Sequence, residues 1–262
     1  MSPRELERVA IAAAQAGAEV VRRRFAERGR LTVEVKASKD YVTEVDRDAE
    51  AAIVAVLRRE TPTFSILAEE GSPTASTAFP RWIVDPLDGT TNFIHGVPTF
   101  GVSVAVEEAS GLAAGAIVDP CREEVFAAHR DGGARLNGEP IRTSRPESLQ
   151  TALLATGFPF RELTRLPGYL KAFESFCRST SGLRRAGAAS LDLAYTACGR
   201  YDGFFEVGLS PWDVAAGALL VSEAGGIVTD TGGGAEFLKG SVVAAGPTLH
   251  AAMLAVTRPA LS

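Results

Sequence analysis

Hydrophobic and polar positions follow two different periods in the first half of the chain. Apolar residues recur at helical spacing over 3–28, and a second helix is predicted from about Thr43 to Arg59, after a polar loop at Lys36–Asp40. Short apolar runs between turn residues predict strands at 32–35, Phe64–Ala68, Trp82–Val84, 100–107, 112–118 and 124–129. The last three runs are typical of an antiparallel meander, and Asn137-Gly138 predicts a further hairpin.

After about residue 148 the pattern changes to alternating strands and helices. Strands are predicted at 153–156, 182–185, 202–207, 227–229 and 242–245, and helices at 165–178, 188–199, 211–224 and 248–257. A meander followed by alternating elements predicts an α/β (α+β) fold of layered sheets and helices. Because no repeat or low-complexity linker divides the chain, we expect one domain, 1–262, with subregions of about 1–148 and 149–262.

Composition narrows the class of protein. The net charge of −5 without a dominant block of Lys or Arg argues against a nucleic-acid surface. We find no signal-peptide segment and no apolar run of membrane-spanning length, so no membrane partner is expected. Three cysteines without metal-ligand spacing indicate reduced thiols. These features predict a soluble cytoplasmic protein.

Candidate chemistry is concentrated in the segment 82–93. An apolar strand leads to Asp85, Pro86 is expected to end that strand, and Asp88 follows three residues after the first aspartate. Gly89 and Thr90 then begin a predicted helix. Carboxylates bind hard cations, and a helix N-terminus binds anions. This order of residues therefore favours a metal-assisted phosphate site.

Further acidic residues stand at the ends of other elements, and each has a structural alternative. Glu69-Glu70 after a strand could be a solvated strand end. Asp88 could be a helix N-cap, and Asp213 fits a capping box with Ser210. Asp46, on a polar helix face, taken alone is expected to be solvated. It is their combination that favours a shared site over separate structural roles.

The charge of such a cluster indicates its cofactor. Glu69, Asp85, Asp88 and Asp213 would bring about four negative charges together, and each like pair about 4 Å apart costs about 4 kcal/mol at an effective dielectric constant of about 20. Two to three Mg²⁺ ions would cancel this repulsion and attract a phosphate. All-oxygen ligands favour Mg²⁺, Mn²⁺ or Ca²⁺ over zinc.

These segments resemble the inositol monophosphatase family of Mg²⁺-dependent, lithium-sensitive phosphatases. The resemblance covers nearly the whole chain, in family order. The matching segments are 68–70, 82–93, 185–189, 201–206 and 212–217 running on to 223–226. It implies a layered α-β-α-β-α sandwich like that of inositol monophosphatase and fructose 1,6-bisphosphatase, and a homodimer.

The resemblance also implies roles for individual residues. Glu69 and Asp85, with the Leu87 carbonyl, would hold the metal that activates the attacking water, and Asp85, Asp88 and Asp213 a second metal beside the leaving oxygen. Glu69 would also touch a third, weaker metal near the loop that contains Lys36.

Catalysis and substrate binding are assigned in the same way. Thr90, supported by Asp46, would orient the water. The substrate would be held by the phosphate-binding amides of Gly89 and Thr90, together with Asp88, Gly187, Ala188, Ala189, Glu206 and Asp213. Glu206 and Asp213 would accept hydrogen bonds from substrate hydroxyls.

The predicted function is a Mg²⁺-dependent phosphomonoesterase for myo-inositol monophosphate or a similar small polyol phosphate. Alternatives are the same chemistry on fructose 1,6-bisphosphate, histidinol phosphate or 3′-phosphoadenosine nucleotides. A different class is a non-catalytic member of the family that binds a protein partner, for instance in the transcription machinery.

Overall fold

The computed structural model describes residues 1–27, 33–37, 40–71, 78–160 and 162–261. The side chains of 33–37 and 40–42 lie outside this description, and so does most of the predicted loop at 71–80. Lys36 therefore has a described backbone, within a strand, but its predicted place near a metal is not among the described features.

Two helices and a small hairpin form the N-terminal part. Helix α1 (Pro3–Ala26) begins with a capping box between Ser2 and Glu5. Strands β1 (Val33–Ala37) and β2 (Asp40–Thr43) pair antiparallel, so strand structure extends into the predicted polar loop. Helix α2 (Glu44–Glu60) follows, and the Thr43 side chain caps it. Both predicted helices are confirmed within the described residues.

A sheet of seven strands follows, in the order of the chain. Only its first pair, β3 and β4, is parallel, and every later pair is antiparallel. The predicted meander and the Asn137-Gly138 turn are confirmed. The strands are β3 (Ser65–Ala68), β4 (Arg81–Asp88), β5 (Gly101–Glu108), β6 (Gly111–Asp119), β7 (Glu124–His129), β8 (Ala134–Leu136) and β9 (Glu139–Pro140), with the short helix α3 (Thr90–His95) between β4 and β5.

Strand β4 continues through its proline. The expectation that Pro86 ends the strand was wrong, because Asp85 pairs with Ser103 and Asp88 pairs with Gly101. Three steps along β4 thus face two steps along β5, which is the extra residue of a β-bulge. A proline is tolerated at a bulge because its missing N–H removes no ladder hydrogen bond there.

The second sheet has five strands in the order β11-β10-β12-β14-β13. β10 is parallel to β11 and β12, and β14 is antiparallel to β12 and β13. The alternating pattern predicted from the sequence is confirmed. The elements are β10 (Leu153–Thr156), α4 (Leu166–Ser179), β11 (Gly182–Arg184), α5 (Ala189–Ala197), β12 (Gly203–Val207), α6 (Pro211–Glu223), β13 (Ile227–Thr229), β14 (Ser241–Ala245) and α7 (Pro247–Leu261).

Three apolar cores hold five layers together. The first lies between the α1–α2 pair and one face of the large sheet, where Trp82 is fully buried. The second surrounds α5 and α6, which separate the two sheets, and the third joins the small sheet to α4 and α7. Because α5 and α6 are covered on both sides, they are apolar around most of their circumference. The predicted layered fold is confirmed.

Within the described ranges, no helix combines the length and the apolar character needed to cross a bilayer.

Candidate functional site

Two aspartates of β4 face one cavity because of the bulge. In a regular strand, residues three apart point to opposite faces. The extra residue in β4 removes this alternation, so Asp85 and Asp88 both line a cavity of about 200 Å³. The Leu87 N–H donates a 3.0 Å hydrogen bond to Asp85 Oδ1. Ser190, in the first turn of α5, donates to Asp88 Oδ2 from its backbone N (2.7 Å) and its Oγ (2.5 Å).

The third aspartate comes from the first turn of α6. Asp213 accepts a 2.7 Å hydrogen bond from the Ser210 N–H, so the predicted capping box is present. Ser103, which pairs with Asp85 across the sheet, donates to the Trp212 carbonyl at 3.1 Å and so joins α6 to β5. Asp213 therefore both caps α6 and lies in the acidic site, so the two alternatives given for it from the sequence hold together.

One carboxylate oxygen from each of Asp85, Asp88 and Asp213 lies within 4.8 Å of the others. Glu69 is not part of this trio but lines the same cavity. It follows β3 directly, and its N–H donates to the Val84 carbonyl, which brings it beside Asp85. The structure thus brings together the four acids predicted to share a site.

Burial and mutual repulsion perturb these acids. Burial, followed by the charges of Glu69, Asp88 and Asp213, raises the pKa of Asp85 well above its usual range. Burial and the charge of Asp213 raise the pKa of Asp88 to about 7, against the opposing hydrogen bonds from Ser190. Asp85 Oδ2 is buried, and no described residue donates a hydrogen bond to it. A divalent cation bound to these oxygens would satisfy this atom and remove the repulsion.

Thr90 and Asp46 meet beside the acids. Asp46 is 1% exposed, so the expectation that it is solvated was wrong. Its Oδ2 accepts from the Thr43 N–H (2.7 Å) and hydroxyl (2.6 Å), and its Oδ1 lies 3.0 Å from Thr90 Oγ1. Thr90 Oγ1 is also 2.9 Å from the Leu87 carbonyl oxygen. Thr90 lines the cavity, whereas Asp46 does not line it and contacts Thr90 on the side away from the cavity.

A close approach of backbone segments shapes the wall opposite β4. Gly89 has a left-handed conformation with φ of 91°, and a side chain there would come within 3.0 Å of the Thr99 carbonyl oxygen and 3.2 Å of the Gly187 carbonyl oxygen. The Asn92 side chain donates to the carbonyls of Thr99 (2.7 Å) and Ala186 (2.9 Å). Asn92 therefore fixes the segment 186–189 against α3.

The far side of the cavity includes Glu206 on β12. Because β10 and β12 are parallel with Thr156 opposite Phe205, Gly157 lies beside Glu206, and a side chain at 157 would overlap the Glu206 carboxylate. Gly187, Ala188 and Ala189 also line this side. All predicted site residues with described side chains therefore line the cavity, except Asp46.

Some cavity residues were not given a role from the sequence. The Arg185 guanidinium lies 5.1 Å from the ring centroids of both Phe158 and Phe160, and all three line the cavity. Arg185 and Asn92 stand in segments that the sequence singled out, so a signal existed for them. Phe158 and Phe160 follow the end of a strand parallel to β12, and that shared sheet edge is the signal that could have found them.

Comparisons with known proteins agree over nearly the entire length. Residues 2–261 match the model of the inositol monophosphatase family. The Nus factor SuhB of Pseudomonas aeruginosa is 51% identical over 259 residues, which cover 97% of this chain and 96% of that protein. The inositol-1-monophosphatase of Mesorhizobium japonicum is 41% identical over 264 residues, with coverages of 100% and 99%. The crystal structure of extragenic suppressor protein suhB from Bartonella henselae has a TM-score of 0.92 at 39% identity, and covers 97% of this chain and 98% of that one.

Proposed function

The chain belongs to the inositol monophosphatase family, and we propose that it is a Mg²⁺-dependent phosphomonoesterase acting on myo-inositol monophosphate or a similar small polyol phosphate. The observation that supports this most is the convergence of Asp85, Asp88 and Asp213, whose carboxylate oxygens lie within 4.8 Å of one another and which line one cavity. The mutual repulsion of these carboxylates destabilises the fold, and a role in metal binding or catalysis explains why three of them lie so close together.

The donor set fits Mg²⁺. The oxygens belong to carboxylates and to a neighbouring backbone carbonyl, and one of them, Asp85 Oδ2, is buried without a hydrogen-bond partner among the described residues. No histidine or cysteine is among the described lining residues. Asp85, Asp88 and Asp213 would hold one ion, and Glu69, Asp85 and the Leu87 carbonyl another. When bound, Mg²⁺ neutralises phosphate charge and lowers the pKa of a coordinated water.

The residues around the metal ligands would position the reactants. The Thr90 hydroxyl donates inward, to Asp46 or to the Leu87 carbonyl, so its lone pairs can accept a hydrogen bond from a water in the cavity. The Gly89 and Thr90 amides would donate to the phosphate oxygens. Glu206, with Gly187, Ala188 and Ala189, would bind the alcohol portion of the substrate.

A phosphate-release panel tests the proposal. The purified chain is assayed with Mg²⁺ on myo-inositol monophosphate, fructose 1,6-bisphosphate, histidinol phosphate and a 3′-phosphoadenosine nucleotide. We expect fastest turnover of the inositol ester and loss of more than about 100-fold in kcat for Asp85→Asn, because that change removes a shared metal ligand.

Two controls make the panel decisive. Glu69→Gln should lose activity, whereas Glu70→Gln should keep it, since Glu69 lines the cavity and Glu70 is not among its lining residues. Faster turnover of another ester would change the proposed substrate but leave the proposed phosphatase reaction unchanged. An active Asp85→Asn protein would refute the proposed site.

A second candidate function is supported by the 51% identity with a protein named Nus factor SuhB. In this alternative the chain binds a protein partner, and catalysis is absent. No turnover on any phosphomonoester, together with a partner retained in pull-down by both wild type and Asp85→Asn, would favour it. The predicted absence of a nucleic-acid partner and the predicted homodimer both stay predictions.

A further inference from the structure

A second cavity lies on the other side of the large sheet, between α1 and the strands β7 and β8. Its volume is about 560 Å³, which is within the range of small-ligand sites. It is lined by Arg4, Glu7, Arg8, Ile11, Val125, Ala127, His129, Gly132, Arg135 and Gly138. None of the residues of the candidate active site lines it.

The charge of this cavity is opposite to that of the protein. Three arginines and one glutamate give it a local charge of about +2 with His129 neutral, in a chain of net charge −5. Arg4 lies in the first turn of α1, where the helix dipole disfavours cations, and Arg8 lies one turn further along the helix. Neither forms an ion pair with any residue of the described ranges. An anion in the cavity would relieve this excess of positive charge.

The interior of the cavity is organised by a buried acid. Glu7 is 8% exposed, and its Oε2 lies 2.7 Å from His129 Nδ1 while its Oε1 lies 3.7 Å from Arg135 Nη1. Arg135 also donates to the Gly132 carbonyl at 3.0 Å. A side chain at 132 would overlap the His129 ring, so the glycine is needed for this arrangement. Glu7 thus contacts His129 and Arg135. Arg4 and Arg8 form no ion pair with a described residue, although the charge of Arg8 acts on the exposed Glu5.

We propose that this cavity binds a small phosphate monoester, with the phosphate between Arg4, Arg8 and Arg135 and the rest of the molecule against Ile11, Val125 and Ala127. A phosphate dianion matches the local charge of about +2, and guanidinium groups bind phosphate through two parallel hydrogen bonds. The apolar wall distinguishes this site from one for a bare ion. The site is separate from the proposed phosphatase centre, so either proposal can fail without the other.

Binding is measured by isothermal titration of the full chain in EDTA, which prevents turnover. The probes are inorganic phosphate, glycerol 3-phosphate and a short single-stranded RNA. We expect the ester to bind to wild type more tightly than inorganic phosphate. The double variant Arg4→Gln/Arg8→Gln should weaken binding by about tenfold or more, the effect of losing charged hydrogen bonds. Both arginines are exposed, so the fold should persist.

The matched control is Arg22→Gln/Arg23→Gln, which removes the same charge from the exposed end of the same helix. It should leave ester binding within about twofold of wild type. Equal weakening in the two double variants would overturn the proposal, as would ester binding that Arg4→Gln/Arg8→Gln leaves intact. The proposal would also be overturned if only the RNA bound to wild type and the Arg4→Gln/Arg8→Gln variant lost this binding. That result would assign the cavity to nucleic acid. Chemical-shift changes at the Ile11 methyl groups on adding the ester would locate the site.

Discussion

Thr90 Oγ1 and Asp46 Oδ1 lie 3.0 Å apart although 44 positions separate them in the chain. Thr43 donates to the other Asp46 oxygen from both its backbone and its hydroxyl, so the carboxylate is held in one orientation. Burial raises the pKa of Asp46, while its hydrogen bonds from Thr43 and Thr90 oppose this shift. Asp46 and the Leu87 carbonyl are therefore two fixed acceptors for the Thr90 hydroxyl proton, and both draw that proton away from the cavity.

This contact predicts a loss of catalysis in Thr90→Val. The valine keeps the shape of the side chain but can neither donate to Asp46 nor accept from a water, so we expect kcat to fall by about 100-fold or more with KM little changed. Thr90→Ser should restore most of the rate. Thr91→Val is the matched control, because Thr91 lines the same cavity next in the chain. Equal losses at both positions, measured by phosphate release, would argue against a specific role for Thr90.

Elements whose structure depends on a local pattern of residues were predicted correctly from the sequence. Periodicity predicted the helices and the meander, and the capping box at Ser210 correctly placed Asp213 in a first helical turn. The prediction that Pro86 ends β4 was wrong, because a proline either ends a strand or occupies a bulge, depending on the partner strand. The register with β5 decides between these two outcomes, and it is a property of the folded sheet.

Long-range contacts explain the other differences. Asp46 was expected to be solvated because its helix face is polar. It is buried because α2 packs near α3, where Thr90 contacts it, and this contact is not visible in the local sequence. Arg185 and the two phenylalanines 158 and 160 come from separate connections after β10 and β11, so no local pattern joins them. Whether residues 1–262 fold as one domain stays a prediction.

The raised pKa of Asp88, about 7, predicts that Mg²⁺ binding strengthens with pH. Without metal the carboxyl is largely protonated below pH 7, and Mg²⁺ must then displace that proton. For the Asp88 proton the affinity should therefore rise by about tenfold per pH unit below about pH 7, and this contribution should level off above about pH 7, while the raised pKa of Asp85 acts in the same direction. Titration of Mg²⁺ at about pH 6 and about pH 8, in buffers of different ionisation enthalpy, measures both the affinity and the proton release. An affinity that does not change with pH would contradict the proposed ligand set.

Glu206 is predicted to act on substrate choice. Loss of a charged hydrogen-bond acceptor should raise KM for myo-inositol monophosphate by about tenfold in Glu206→Gln. Hydrolysis of p-nitrophenyl phosphate, which has no ring hydroxyls, should not change. Gly157→Ala should reproduce the effect, because the added Cβ would displace the Glu206 carboxylate. If both substrates lost activity equally in Glu206→Gln, the residue would have a general structural role instead.

Asp192 on α5 predicts a specific dependence of stability on pH. The residue is 1% exposed, and no described group donates to its Oδ1. Burial, followed by the charges of Glu206 and Asp88, raises the pKa of Asp192 well above its usual range, against the opposing charge of Arg185. The folded protein therefore keeps a proton that the unfolded chain releases above about pH 4.

The sign of the effect follows from this difference in bound protons. Between the unfolded and folded pKa values, each pH unit should lower the free energy of unfolding of the wild type by about 1.4 kcal/mol relative to Asp192→Asn, which does not titrate. Denaturant unfolding across this range measures the difference, and buried acids that do not interact with Asp192 contribute equally to both proteins. Asp48→Asn, whose wild-type side chain is 58% exposed, should instead follow the wild-type curve. Parallel curves for wild type and Asp192→Asn would mean that Asp192 is ionised in the fold, held by a cation or a donor that offsets its burial.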